Sequence, residues 1–203
     1  MCNSYRIKPK RGVVKELHEK VSAAAANLEC SLVRKSDFGV VVTADLSVKI
    51  MRWGYHRSFN SAVNNARSDK LAGGMWAEAY RYRRCMIPMT LFYEWGADGR
   101  RKQAYEFAEP NGEFLWVAGI WEEHPEFGRC YSMVTTSAPP LMAPIHDRMP
   151  AILLPSKAAG FLNGGPWDFQ PFAGPLAVAP CASPLARPQA PERQQTFKGF
   201  PPA

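Results

Sequence analysis

The spacing of apolar and polar positions changes several times along this chain, and each change marks an element. Val14, Leu17, Val21 and Ala25 recur at helical spacing, which predicts a helix from Gly12 to about Asn27. Phe38 to Thr43 and Leu46 to Trp53 are rich in β-branched residues and parted by the Ala44-Asp45 step, so a hairpin is expected. Trp53-Gly54 then opens a loop through Tyr55, His56 and Arg57 to Asn64-Asn65-Ala66-Arg67-Ser68-Asp69, where Ser68 or Asp69 suits a helix cap. After Gly73-Gly74, Met75 to Tyr82 reads as helix. The apolar run from Cys85 to Gly96 is expected as strand, with Pro88 indicating an edge or a bulge. Past the Asp98-Gly99 turn, Gln103 to Ala108 is the return strand. Asn111-Gly112 is a hairpin signal leading into a strand at Phe114 to Trp121. Cys130 to Thr136 and Ala151 to Leu154 read as further strands, separated by the proline-clamped loop Pro144 to Pro150, and Ser156 to Leu162 as a short helix.

Many short strands with few helices predict an α+β fold, built on a mixed, largely antiparallel, barrel-like β-sheet with flanking helices. From Gly164 onward the chain turns rich in proline, glycine and alanine. A catalytic domain over residues 1–163 is therefore expected, followed by a segment over 164–203 that wraps the surface. Leu176-Ala177-Val178 is a candidate edge strand in that segment, and its end is expected to be disordered.

Composition changes the picture little, but charge points somewhere. The 203 residues suit one domain, and 46% hydrophobic with 21% charged residues allows a real core. A net charge of +7 favours a polyanionic partner. Cys2, Cys30, Cys85, Cys130 and Cys181 are odd in number and scattered, with no paired Cys/His spacing. Neither a disulfide framework nor a zinc site is indicated, no metal or cofactor is expected, and a reducing compartment fits. Lys8, Lys10 and Arg11 are not followed by an apolar signal region, and no run approaches a membrane span, so a cytoplasmic protein without membrane contact is expected.

The chemistry starts at Met1-Cys2. If Met1 is removed, Cys2 carries a primary amine and a thiol on neighbouring carbons, with ordinary pKa values of about 8 and about 8.5. Such an aminothiol condenses with an aldehyde through an imine to a five-membered thiazolidine. The alternative is an incidental cysteine on a frayed terminus. Glu94 lies among Leu91, Phe92, Tyr93 and Trp95, where burial would raise its pKa into the range of a general acid/base, or where it simply faces outward. His146, held between Pro144 and Pro150, is either a proton shuttle or an inert loop histidine. Asn65 is either an orienting amide or a turn residue. Arg67, Arg81, Arg83, Arg84 and Arg148, interleaved with Trp53, Tyr55 and Trp95, resemble a single-stranded nucleic-acid surface, although solvated arginines and core tryptophans explain them equally.

Taken in order, these blocks resemble one family. Met1-Cys2 is followed by Arg52-Trp53-Gly54, Asn65-Ala66-Arg67-Ser68 and Arg83-Arg84-Cys85-Met86-Ile87-Pro88, which runs into Phe92-Tyr93-Glu94-Trp95. Then come Ala118-Gly119-Ile120-Trp121, Thr135-Thr136-Ser137-Ala138 and His146-Asp147-Arg148-Met149-Pro150. The series is similar to the SOS response-associated peptidase family of abasic-site-processing proteins over roughly residues 1–155. The resemblance implies capture of the ring-opened aldehyde of an abasic site in single-stranded DNA as a covalent thiazolidine at Cys2, in a DNA damage response. It implies that Asn65 holds the terminal cysteine and the sugar, that Glu94 is the acid/base, and that His146 assists proton transfer. Arg67 and Arg148 would bind phosphates, Trp53 would pack on a base or sugar edge, and Arg84 and Thr136 would join the DNA-binding set. Single-stranded abasic DNA is the implied partner of a monomer, without metal. Asn3 and Ser4 stand where the family usually has Gly-Arg, Val33 to Asp37 replaces an expected proline-containing segment, and the tail after Gly164 matches poorly. Two other readings use the same residues: a cysteine peptidase with Cys2 as nucleophile and His146 as base, acting on other chains or only on its own Met1, and a non-catalytic single-stranded DNA-binding module.

Overall fold

The structure, a computed structural model, describes residues 2–9, 16–98 and 101–185. Met1, the expected helix start at Gly12, Gly99 of the Asp98-Gly99 turn and the expected disordered end beyond 185 lie outside the described residues. In chain order the elements are β1 (Ser4–Arg6), α1 (Glu16–Ala26), β2 (Leu32–Arg34), β3 (Phe38–Thr43), β4 (Val48–Trp53), β5 (Tyr55–Arg57), β6 (Asn60–Val63) and β7 (Asn65–Arg67). They continue with α2 (Ala77–Tyr82), β8 (Arg84–Met89), β9 (Leu91–Asp98), β10 (Arg101–Ala108), β11 (Leu115–His124) and β12 (Gly128–Ser137). The last are β13 (Arg148–Pro150), β14 (Ile152–Leu153), α3 (Pro155–Leu162) and β15 (Ala177–Cys181).

The fold is α+β and contains a closed barrel. β12 pairs with β4, β4 with β3, β3 with β8, β8 with β11, and β11 returns to β12, so five strands close a ring without a free edge. β7 and β13 add to β12, and β14 adds to β11. A second sheet runs β15-β10-β9-β1-β2, and it carries the chain's amino-terminal end. The core lies inside the barrel and between the two sheets. Trp53, Tyr5, Tyr131, Phe92, Phe107 and Met51 are fully buried there, each contributing roughly 1.5–3 kcal/mol through burial.

Several expectations are refined. The loop expected after Gly54 instead holds the small β5–β6 hairpin and strand β7, which lies parallel to β12. Gly54 makes the bend into it: its φ of +115° favours glycine, and a β-carbon there would sit 2.8 Å from that of Ala62. The apolar run from Cys85 is two strands, not one. β8 belongs to the barrel and β9 to the second sheet, with Thr90 at the crossing held by Arg6. Pro88 sits at a local edge inside an otherwise interior strand: β3 pairs with β8 only at Cys85 and Met86, so Pro88 faces β11 alone and needs no donor on its other side. Asn111-Gly112 is a turn, but β10 and β11 lie in different sheets, so no hairpin forms across it. Glu109 closes that turn by accepting from the Glu113 amide and the Asn111 side chain. The proline-rich segment after Gly164 contains β15, which pairs antiparallel with β10.

Candidate functional site

Cys2 lies just ahead of β1 and is fully buried, unlike a frayed terminus. Its Sγ donates to the Ser4 carbonyl oxygen, 3.3 Å away. Its own carbonyl oxygen accepts from two side-chain amides, Asn65 Nδ2 at 2.8 Å and Asn64 Nδ2 at 3.2 Å. The Asn64 amide also reaches Asn3 Oδ1, 3.3 Å away. Strand β7 delivers Asn65 beside the terminus because its parallel ladder with β12 sets Asn65 against Met133. Asn65 Oδ1 is buried and, among the described residues, has no hydrogen-bond partner.

Glu94 reaches the same place from β9. Tyr5 pairs with Phe92, and continuing that antiparallel register by two places sets Glu94 opposite Asn3, next to Cys2. The side chain is 1% exposed. Burial pushes its carboxyl up to about 7, against the pull of the positive amino terminus and the Trp95 amide. The Cys2 thiol is pushed far above its ordinary value, first by burial and then by the charge of Glu94. The thiol is thus held in its neutral form, within the field of a carboxyl that titrates near neutrality.

His146 approaches from the loop before β13. The turn that presents it is closed by Met142, whose carbonyl accepts from the amides of Ile145 and His146. The loop packs closely on β9: a β-carbon at Gly96, two places after Glu94, would lie 3.4 Å from Ile145 Cα. The His146 ring is driven toward the neutral form by burial and by the positive amino terminus. Its Nδ1 lies 2.9 Å from the Arg148 amide and 3.0 Å from Asp147 Oδ1. A neutral ring accepts from the amide, and a protonated ring donates to the carboxylate, so both states have a partner.

Beyond this centre lie two arginines. Arg67, half exposed, places Nε and Nη2 each 3.0 Å from the carboxylate oxygens of Asp69. Arg148 is held by Thr135, through Nε to Oγ1 and Nη2 to the carbonyl oxygen, which leaves Nη1 to face Asp69 at 3.9 Å. Three expected DNA-contacting residues take structural positions instead. Trp53 is fully buried between Tyr5 and Tyr131, and its Nε1 donates to the Asn64 carbonyl over 2.9 Å, so it supports the site from beneath and offers no face to a base. Arg84 is 5% exposed and donates to the carbonyls of Tyr80, Phe161 and Gly165, pinning the helices to the barrel. Thr136 is buried and donates to the Phe169 carbonyl, tethering the wrapping segment.

Asn64 and Asp69 were not among the expected site residues. The only signal for Asn64 is an amide doublet between Val63 and Ala66, and Asp69 reads locally as a helix cap. Among the described residues no group of three or more His, Cys, Asp or Glu side chains could hold a metal ion, and no helix is long and apolar enough to cross a membrane.

Cys2 is thus seated by two side-chain amides within the field of a buried carboxyl, on a mixed β-barrel fold that also carries a loop histidine and a pair of arginines. The chain belongs to the SOS response associated peptidase (SRAP) family, whose model matches residues 1–180. It is 32% identical to the abasic site processing protein HMCES of Xenopus tropicalis over 146 residues, covering 54% of this chain and 44% of that one. It is 30% identical to the abasic site processing protein YoqW of Bacillus subtilis over 117 residues, covering 55% of this chain and 52% of that one. The chain thus spans about half the length of these relatives or less. An X-ray structure of a Bacteroides thetaiotaomicron protein shares the fold, with a TM-score of 0.73 and 20% identity over 90% of this chain and 93% of that one.

Proposed function

We propose that this chain processes abasic sites in single-stranded DNA by capturing the ring-opened sugar aldehyde at Cys2, after Met1 has been removed. The observation that carries this reading is the seating of Cys2, whose carbonyl accepts from both Asn64 and Asn65 while its thiol is fully buried within the field of Glu94. Ordering a second residue this thoroughly costs conformational entropy, which a terminus without a role would not repay. The names of the relatives, as abasic site processing proteins, support the same substrate.

Loss of Met1 turns the Cys2 nitrogen into a primary amine. That amine attacks the aldehyde carbon, and the carbinolamine loses water to give an imine. The Cys2 sulfur then adds to the imine carbon, its proton passes to nitrogen, and a thiazolidine closes with one water lost overall. Glu94 is suited to carry the proton, since its carboxyl titrates near neutrality. His146 supports proton transfer at the sugar oxygen, and Asn65 Oδ1, buried and without a hydrogen-bond partner among the described residues, is suited to accept from the new amine or from a sugar hydroxyl. Arg67 and Arg148 supply the cations for flanking phosphates.

The test is intact mass after incubation with a single strand holding one abasic site. The expected product is the chain without Met1 plus the strand minus one water, stable to denaturation. Formation of the same adduct by Cys2→Ala, or by protein that keeps a residue ahead of Cys2, would overturn the reading.

A further inference from the structure

The two arginines of this site converge on one carboxylate of the protein itself, that of Asp69. Asp69 spends both carboxylate oxygens on the fork of Arg67, at 3.0 Å each, and the free Nη1 of Arg148 points at the same group from 3.9 Å. Arg148 has no other free edge, because Thr135 takes its Nε and Nη2. Two guanidinium groups converging on one bidentate anion form the arrangement that a backbone phosphate would otherwise complete. The carboxylate is needed there while no DNA is bound. The charges of Arg67 and Arg148 act against each other, and Asp69, with a smaller share from Asp147, offsets both. Asp69 itself is held below the usual carboxylate range by the Arg67 contact, so it is ionised at neutral pH.

We infer, resting on the reading of this site as a DNA site, that Asp69 is a built-in competitor for the backbone phosphate at Arg67 and Arg148 and holds down affinity for undamaged single strands. A phosphate and this carboxylate cannot occupy the same seat. Asp69 is the middle residue of a short 3-10 turn, Ser68–Lys70, its side chain is about half exposed, and it borders an open hollow of about 430 Å³ lined by Lys70, Gly73, Gly74, Met75 and Trp76. It therefore has room to swing aside when a strand arrives. A site that finishes with a covalent bond gains from weak initial binding: undamaged DNA is released, and an abasic site is retained by chemistry.

The test measures equilibrium binding of an undamaged oligonucleotide, which contains no aldehyde, to the wild-type protein and to Asp69→Asn across a range of salt concentrations. The expected result is roughly three- to tenfold tighter binding by Asp69→Asn at low salt, with a log–log salt slope steeper by about 0.7, the increment for one more neutralised phosphate on a single strand. In an Arg67→Ala background the gain from Asp69→Asn should largely vanish. Equal or weaker binding by Asp69→Asn would overturn the inference and make Asp69 a residue that orients Arg67 for DNA. If wild type forms the abasic adduct while Asp69→Asn binds no tighter, this inference alone fails. If neither protein binds a single strand, the DNA reading fails and takes the inference with it.

Discussion

Asn65 donates its Nδ2 hydrogen to the carbonyl oxygen of Cys2 across 2.8 Å, and so ties the second residue of the chain to a strand of the barrel wall. Cys2 and Asn3 lie ahead of β1, outside the pairs that register it with β2 and β9. Asn64 adds the second donor, and Trp53 fixes Asn64 by taking its carbonyl as acceptor. Removing a donor from a buried carbonyl costs about 1–3 kcal/mol. Asn64→Leu and Asn65→Leu should therefore each slow adduct formation at saturating DNA by at least roughly tenfold, the kinetic equivalent of 1.4 kcal/mol. Half-saturating DNA concentration should hardly move, because neither residue binds phosphate. Single-turnover crosslinking over a range of DNA concentrations separates these quantities. A variant that loses affinity but keeps its maximal rate would show that the amides do not position Cys2.

Glu94 should make stability depend on pH in an unusual direction. Its carboxyl is pushed up to about 7 in the folded protein, while an unfolded glutamate titrates near 4.3. Between those values the native state binds more protons than the unfolded state, so stability falls as pH rises, by up to about 1.4 kcal/mol per unit. The contribution is complete below about pH 4 and gone above about pH 7. Denaturant titrations of wild type and Glu94→Gln should diverge across this window, with the variant flatter. Parallel curves would mean that Glu94 titrates normally. Adduct formation by Glu94→Gln should fall by roughly 10²–10⁴-fold, the usual reach of a positioned acid/base.

Those two residues also show where the sequence was legible. Glu94 among aromatics and His146 between prolines carry local chemistry that can be read without a fold, and in the structure both feel the positive amino terminus next to Cys2. Asn65 was readable only as one of two possibilities, because an amide in a turn and an amide on a strand look alike until β7 pairs with β12. Trp53 and Arg84 misled for the opposite reason. Their residue types suit DNA, but barrel closure puts Trp53 inside, and three backbone carbonyls claim Arg84. The crossing at Thr90 between two sheets left no mark in the apolar pattern, since both strands are buried on either side of it.

The floor of the site contains a buried hydroxyl pair whose energetics can be tested by rescue. Tyr5 and Tyr131 hold their hydroxyls 2.6 Å apart with both rings fully buried. Tyr131→Phe leaves the Tyr5 hydroxyl without that partner and should cost about 1–3 kcal/mol, whereas replacing both by Phe should be nearly neutral. Gly39 lies against the pair: a β-carbon there would sit 2.3 Å from each hydroxyl oxygen. Gly39→Ala should be severely destabilising in wild type and distinctly milder in the double-Phe background. Thermal melts of the full cycle read this coupling, and simple additivity would show that the hydroxyls are not the obstacle.

Leu46 offers a change that should stabilise the protein. It sits in the turn between β3 and β4 with φ of +60°, and its side chain is 54% exposed. The turn is held by other residues: Thr43 accepts from the Leu46 amide, and Asp45 accepts from the hydroxyls of Thr43 and Ser47. Leucine thus bears the left-handed backbone penalty of roughly 1–2 kcal/mol and returns little through burial. Leu46→Gly removes that penalty but gives the unfolded chain more freedom, which offsets roughly 0.5–1 kcal/mol. The net expectation is a gain of up to about 1 kcal/mol, or several degrees in melting temperature for a domain of this size. Leu46→Asn should also gain, because asparagine tolerates this conformation without the full loss of chain entropy. If both variants melt below wild type, the exposed leucine makes a stabilising contact that outweighs its backbone conformation.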